Sequence, residues 1–134
     1  MARRLILDTG IIIRAEREPT GLTGLLDPED DVTISAVTMA ELQLGVELSD
    51  GARRIRRQEY VDGVHALVPV EDYTSDVARV HARLLAHVRR TGKPRGAHDL
   101  IIAATAAATA RTLVTLDEKA AFGDLPGVNV ITGT

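Results

Sequence analysis

Cysteine is missing from all 134 residues. Its absence excludes disulfides, thiolate metal sites and a cysteine nucleophile, and it fits a reducing compartment. Aromatic residues make up 2% of the chain, as Tyr60, Tyr73 and Phe122, too few for the stacking platforms of single-strand binders. No apolar run approaches the roughly 20 residues of a membrane span. The chain also passes from Ala2-Arg3-Arg4 straight into Leu5-Ile6-Leu7-Asp8, without the apolar core of a signal peptide. These features lead us to expect a soluble, cytoplasmic protein with no membrane partner. An excess of positive charge is missing too: the net charge is −3, so any polyanion binding must rest on a local arrangement. Lys93 and Lys119 are the only lysines. Arginine carries the remaining positive charge; its planar fork suits phosphate, and genomic codon bias explains the preference equally well.

What is present is 45% hydrophobic and 26% charged residues, the balance of one globular domain spanning residues 1–134. A chain of this size buries roughly 68% of its unfolded surface and needs no staple. There is no internal repeat. Leu5-Ile6-Leu7, Val32-Thr33-Ile34 and Leu113-Val114-Thr115-Leu116 read as buried strands, with weaker candidates at Ala66 to Val70 and Val128 to Ile131. Helical patterns fill the intervals: one places Val37, Ala40, Leu44 and Leu48 on a single arc, a second runs from about Ala52 to Val64, and a third from Ser75 to Arg90 ends at Gly92 and Pro94. A fourth, almost wholly apolar, runs from about His98 to Arg111. Strands alternating with helices predict a three-layer α/β/α domain around a parallel sheet of four to five strands. Ligands of such sheets collect at the carboxyl ends of the strands.

Four carboxylates stand there or on apolar helix faces. Asp8 ends the first strand and Asp117 the strand beginning at Leu113; helix N-capping is the bland role for Asp8. Glu41 shares the arc of Val37, Ala40, Leu44 and Leu48, where an unpaired charge costs several kcal/mol, unless an arginine partner or a helix-edge position relieves it. Asp99 shares a stripe with Ile102, Ala103, Ala106 and Ala110, although the helix dipole favours an anion in a first turn. Convergence accounts for all four at once. A divalent cation usually neutralises such a gathering, and oxygen-only ligands point to Mg²⁺ or Mn²⁺ over zinc. In-line attack on a backbone phosphate by a water held on the cation is the chemistry these groups allow.

The ordered set Leu7-Asp8-Thr9, Ser35-Ala36-Val37-Thr38-Met39-Ala40-Glu41-Leu42, His98-Asp99-Leu100-Ile101-Ile102-Ala103-Ala104 and Leu113-Val114-Thr115-Leu116-Asp117 resembles a PIN domain. It is most similar to the VapC-type toxins of bacterial type II toxin–antitoxin systems, over Leu5 to Ile131. The resemblance implies a Mg²⁺-dependent endoribonuclease, usually a homodimer, held inactive by a cognate antitoxin protein. It places Asp8, Glu41, Asp99 and Asp117 at the family's acidic positions. Phe122 lies further from Asp117 than the family's closing motif has it, which leaves Glu118 and Asp124 as substitutes for the fourth carboxylate. Asp8 and Asp99 are expected to hold the cation directly, and Glu41 and Asp117 directly or through water; Thr9 and Thr115 are candidates to hydrogen-bond them.

Two basic clusters suit an RNA substrate. Arg53, Arg54, Arg56 and Arg57 lie on one helix, and Arg89, Arg90, Lys93 and Arg95 lead into Asp99; the second is the better candidate for RNA phosphates because it is nearer the acidic residues. His98-Asp99 is also the dipeptide of HD-type metal phosphohydrolases, but that fold is all-helical and the strong strands oppose it. A receiver domain wants an acidic pair at the end of the first strand, whereas Asp30-Asp31 precedes a strand. A nonenzymatic PIN-like interaction module is the remaining alternative, weakened by carboxylates that a pure binder would gain by losing.

Overall fold

The computed structural model describes residues 2–116 and 122–133. In chain order the elements are β1 (Arg4–Leu7), α1 (Thr9–Ala15), β2 (Asp31–Ser35), α2 (Ala36–Glu47), α3 (Gly51–Leu67), β3 (Val70–Glu71), α4 (Ser75–Thr91), α5 (Ala97–Ala108), β4 (Thr112–Thr115) and β5 (Val130–Thr132), with short 3-10 turns at Gly21–Gly24 and Phe122–Asp124. The strands form one parallel sheet in the order β3-β2-β1-β4-β5. This is the five-stranded limit of the expected range, and its parallel strands rule out the all-helical alternative.

Alternation along β1 divides the core. Leu5 and Leu7 point to one face, where they meet Ile11 and Ile12 of α1, Leu42 and Val46 of α2, and Val61 and Val64 of α3. Ile6 points to the other, against Val77 and Leu84 of α4, Leu100, Ile102 and Ala103 of α5, and Phe122. Helices on both faces explain why the strands are continuous apolar runs instead of alternating ones. The small residues Ala103, Ala104 and Ala106 are buried and let α5 lie close to the sheet.

Two expectations require correction. The proposed strand at Ala66 to Val70 is mostly helix: α3 continues to Leu67, and β3 keeps only Val70 and Glu71. The proposed core arc of α2 is wrong as well, because Leu44 is 55% and Leu48 77% exposed. Its buried face is Thr38, Leu42 and Val46. Asp8 caps α1 and Gly92, in the left-handed conformation, closes α4, both as expected; Ser35 caps α2 and Thr74 caps α4.

Strand order reverses at β1. The chain moves outward from β1 through β2 to β3, then returns across the sheet to place β4 on the other side of β1. The switch point therefore lies between the carboxyl ends of β1 and β4, where doubly wound sheets open a crevice for ligands. Asp8 and Thr115 stand on its two sides.

Candidate active site

Asp8 leaves β1 at the switch point in extended conformation and is buried. Its Oδ1 accepts the Thr9 backbone N–H at 2.8 Å, and its Oδ2 accepts the Thr115 hydroxyl at 2.8 Å. Capping and orientation are thus one geometry: the cap at the start of α1 holds one carboxylate oxygen, and the hydroxyl at the end of β4 holds the other. Both threonines have the hydrogen-bonding role anticipated for them.

Glu41 arrives from α2, and the Thr9 hydroxyl donates to its Oε1 at 2.7 Å. The other oxygen, Oε2, stands 3.5 Å from His98 Nδ1, with the Glu41 side chain 31% exposed. Glu41 therefore occupies the edge of α2, one of the relieved positions its sequence pattern left open. The arc that singled it out is not the buried one, whose residues are Thr38, Leu42 and Val46. His98, expected to be an exposed helix-start residue, is exposed and also faces Glu41.

Asp99 is half-buried in the first turn of α5, whose N-cap is Gly96. A methyl group at position 96 would stand 2.8 Å from Asp99 Oδ2, so the absence of a side chain there leaves room for this carboxylate. Asp117 and Glu118 lie outside the described residues. Asp124 is exposed on the turn after them, 3.9 Å from Arg95. Among the described residues no group of three or more His, Asp or Glu side chains stands close enough together to hold a metal. The chemistry of the donors does suit a hard cation, since carboxylate and hydroxyl oxygens surround the switch point and thiolates are absent from the chain.

The proposed phosphate-binding cluster is not uniform. Arg89, Arg90 and Lys93 are exposed, whereas the Arg95 side chain is 11% exposed and faces Asp124. Beside the acidic site a groove lined by Ile13, Glu16, Leu42 and Tyr60 runs to Glu41. Tyr60 donates its hydroxyl to the Ile12 carbonyl at 2.5 Å. Burial, with the Glu16 charge adding to it, pushes the pKa of that hydroxyl up to about 12.

The residues missed by sequence reasoning are Ser35 and Thr38, buried hydroxyls behind Thr9. A signal existed: Ser35, Thr38 and Glu41 recur every three residues from a strand end, a polar line at helical spacing.

Fold and site together define the class, and a family model bears it out: the PIN domain matches residues 5–127. Ribonuclease VapC5 of Mycobacterium tuberculosis is 36% identical over 131 residues, covering 94% of this chain and 93% of its own. Among solved structures, VapBC2 from Rickettsia felis, bound to a promoter DNA fragment, superposes with a TM-score of 0.86 at 25% identity, covering 98% of this chain and 99% of the other. VapBC-5 from Mycobacterium tuberculosis, a member of the VapBC family of toxin–antitoxin systems, gives 0.77 at 30% identity, covering 96% and 98%. The chain belongs to the PIN-domain family, and within it to the VapC-type toxins of toxin–antitoxin systems. A nuclease-type function and an antitoxin partner accompany that membership.

Proposed function

We propose that the chain is a Mg²⁺-dependent endoribonuclease, with Mn²⁺ as a possible substitute, acting in the cytoplasm as the toxin of its pair. The observation that carries this reading is the tethering of two carboxylates at the switch point, Asp8 by Thr9 and Thr115 and Glu41 by Thr9. Asp8, Glu41, Asp99 and Asp117 are the residues that would hold the cation. When bound, the cation supplies charge neutralisation at the phosphate and activation of water. The chain's own contribution is orientation: Thr9 and Thr115 each direct a single proton at a carboxylate oxygen. RNA phosphates approaching an acidic crevice need compensating charge, which Arg89, Arg90, Lys93 and Arg95 would supply.

The antitoxin suits a second feature. Leu44 of α2, Leu48 just past its end and Ile55 of α3 are exposed apolar side chains borne by or next to the helices that also line the groove reaching Glu41. A partner segment with an apolar face and a basic tip would cover the first and neutralise the second. A homodimer is the assembly we expect of the free toxin.

The test is cleavage of RNA by purified protein with and without EDTA, alongside Asp99→Asn. Cleavage products with 5′-phosphate and 3′-hydroxyl ends, lost with EDTA and in the variant, support the reading. Products with 2′,3′-cyclic phosphate, or cleavage indifferent to EDTA, overturn it. Folded, inactive wild type that still binds its antitoxin would favour the nonenzymatic module.

A further inference from the structure

Behind Glu41 lies a line of hydroxyls that capping does not explain. Ser35 is buried at the end of β2, Thr38 is fully buried at 0% exposure in the first turn of α2, and Thr9 is buried at the start of α1. Ser35 Oγ lies 3.1 Å from Thr38 Oγ1, Thr38 Oγ1 lies 3.2 Å from Thr9 Oγ1, and Thr9 Oγ1 lies 2.7 Å from Glu41 Oε1.

The direction of the protons follows from counting them. An ionised carboxylate only accepts, so Thr9 donates its single proton to Glu41. Thr9 then meets Thr38 as an acceptor, which commits the Thr38 proton to Thr9. Ser35 must in turn donate to Thr38. The Ser35 oxygen is itself held by the Thr38 backbone N–H at 3.1 Å, which fixes the start of the chain. Each hydroxyl thus polarises the next, in surroundings with little water, where such links are stronger than in solution.

A helix cap needs from position 38 only its backbone N–H, which valine would supply equally. Burying the Thr38 hydroxyl instead carries a desolvation cost that only its partners offset. Without Thr38 behind it, the Thr9 hydroxyl loses the donor that holds its oxygen, and its bond to Glu41 loses the polarisation of the links before it. Glu41 is half-exposed and held by few other groups, so it would swing as that bond weakens.

We propose that Ser35 and Thr38 are positioning residues, a buried one-way hydroxyl relay that fixes the Glu41 carboxylate through Thr9. The consequence for cation affinity rests on the function proposed above; the orientation of Glu41 does not.

Thr38→Val cuts the relay while keeping volume and the capping N–H, and Thr38→Ser keeps the hydroxyl while removing a methyl. Two measurements on the full-length chain separate the claims: crystal structures of the metal-free variants, and Mn²⁺ titration by calorimetry without RNA. Thr38→Val is expected to break the contact between Thr9 and Glu41 and to weaken Mn²⁺ binding roughly 10-fold, the lower range for loss of an outer-shell partner. Thr38→Ser should keep the contact and, by the same comparison, hold affinity within about twofold of wild type. Ser35→Ala, which removes the first donor, should act in the same direction and provides the test if Thr38→Val does not fold. An unmoved Glu41 in Thr38→Val, or equal weakening by Thr38→Val and Thr38→Ser, overturns the relay. If Glu41 moves but wild type binds no Mn²⁺, the relay stands and the metal-dependent reading fails.

Discussion

The two ends of the sheet use carboxylates in opposite ways. Where the strands begin, guanidinium groups answer the acids. Arg111, 7% exposed just before β4, donates to the Leu5 and Asp31 carbonyls at 3.3 and 2.9 Å and contacts Asp31 Oδ1 at 3.1 Å; it also meets Glu71 Oε1 at 3.2 Å, the last residue of the short edge strand β3. Arg4 meets Asp31 at 3.2 Å, and Arg3 grips Asp30 with two parallel bonds of 2.9 and 2.7 Å. Where the strands end, the partners of Asp8 and Glu41 among the described residues include hydroxyls, a backbone N–H and an imidazole. A guanidinium neutralises a carboxylate and stabilises the fold, whereas a hydroxyl orients it and leaves its charge in place. The same strand carries both kinds, since β1 begins with Arg4 and is followed by Asp8.

The sharpest way to break this contrast is to neutralise one carboxylate at the chemical end. Asp8→Asn keeps an acceptor for the Thr9 N–H and removes the charge. RNA cleavage should fall by at least about 10²- to 10³-fold, the scale on which loss of a single preorganised electrostatic group is felt. Thermal melting in metal-free buffer should stay close to wild type or rise, because functional sites commonly hold charge at the expense of stability. A large drop in melting temperature together with full activity would mean that Asp8 serves the fold alone.

The opposite result is expected at the other end. Arg111→Met leaves two carbonyls and two carboxylates without their shared donor. Since Asp31 is partly exposed, the loss should sit near the lower bound for breaking a buried ionic contact, about 3 kcal/mol in urea unfolding. Cleavage measured at a temperature where the variant stays folded should match wild type. An Arg111→Met protein as stable as wild type would show that the arginine network contributes nothing to the sheet.

How much of this was readable in the residues differs by element. β1, β2 and β4 are covered on both faces, so they stand out as uninterrupted apolar runs, and the first polar residue after each run marks the carboxyl end. That is why Asp8 could be found and why the sheet could be expected as parallel. The face of α2 could not be read, because this helix is apolar nearly all round: Leu44 and Leu48 fit the helical period as well as Leu42 and Val46 do, and only the packing on α1 and α3 selects between them. Glu41 was therefore reached through a mistaken arc. The start of β3 was hidden because Val64, Leu67, Val68 and Val70 suit either a helix end or a strand. Contacts such as that of Arg111 with Glu71, or of Thr9 with Glu41, join distant segments, and no local pattern announces them.

Gly96 sharpens the comparison at smaller amplitude. Its backbone is in ordinary extended conformation, so alanine fits the chain there, and its entropic gain of about 0.4–1 kcal/mol is offset by the preference for glycine over alanine at a helix N-cap. The same methyl would press on Asp99 Oδ2 at 2.8 Å. Gly96→Ala should thus lose activity by roughly 10-fold through a displaced carboxylate while its melting temperature stays close to that of wild type. Unchanged cleavage would show that Asp99 has room to move without consequence.

The smallest effect concerns acid. The hydrogen bonds from Arg3 hold the Asp30 carboxyl below the usual carboxylate range, aided by the Asp27 backbone N–H and by the charge of Arg3. The folded state therefore binds this proton more weakly than the unfolded state. Its contribution to stability is fully present above the ordinary carboxylate pKa and is lost as pH falls through the lower folded value. An ion pair whose arginine stands in solvent contributes little, so the signal is a slope, not a collapse. Between pH 5 and 3, wild type should lose stability faster than Asp30→Asn, and the two curves should run parallel near neutrality. Added salt should shrink the difference, because screening weakens exposed pairs. Parallel curves throughout the acid range would mean that Asp30 titrates alike in both states, and that neutralisation at the amino end rests on Arg111 and Arg4 without Arg3.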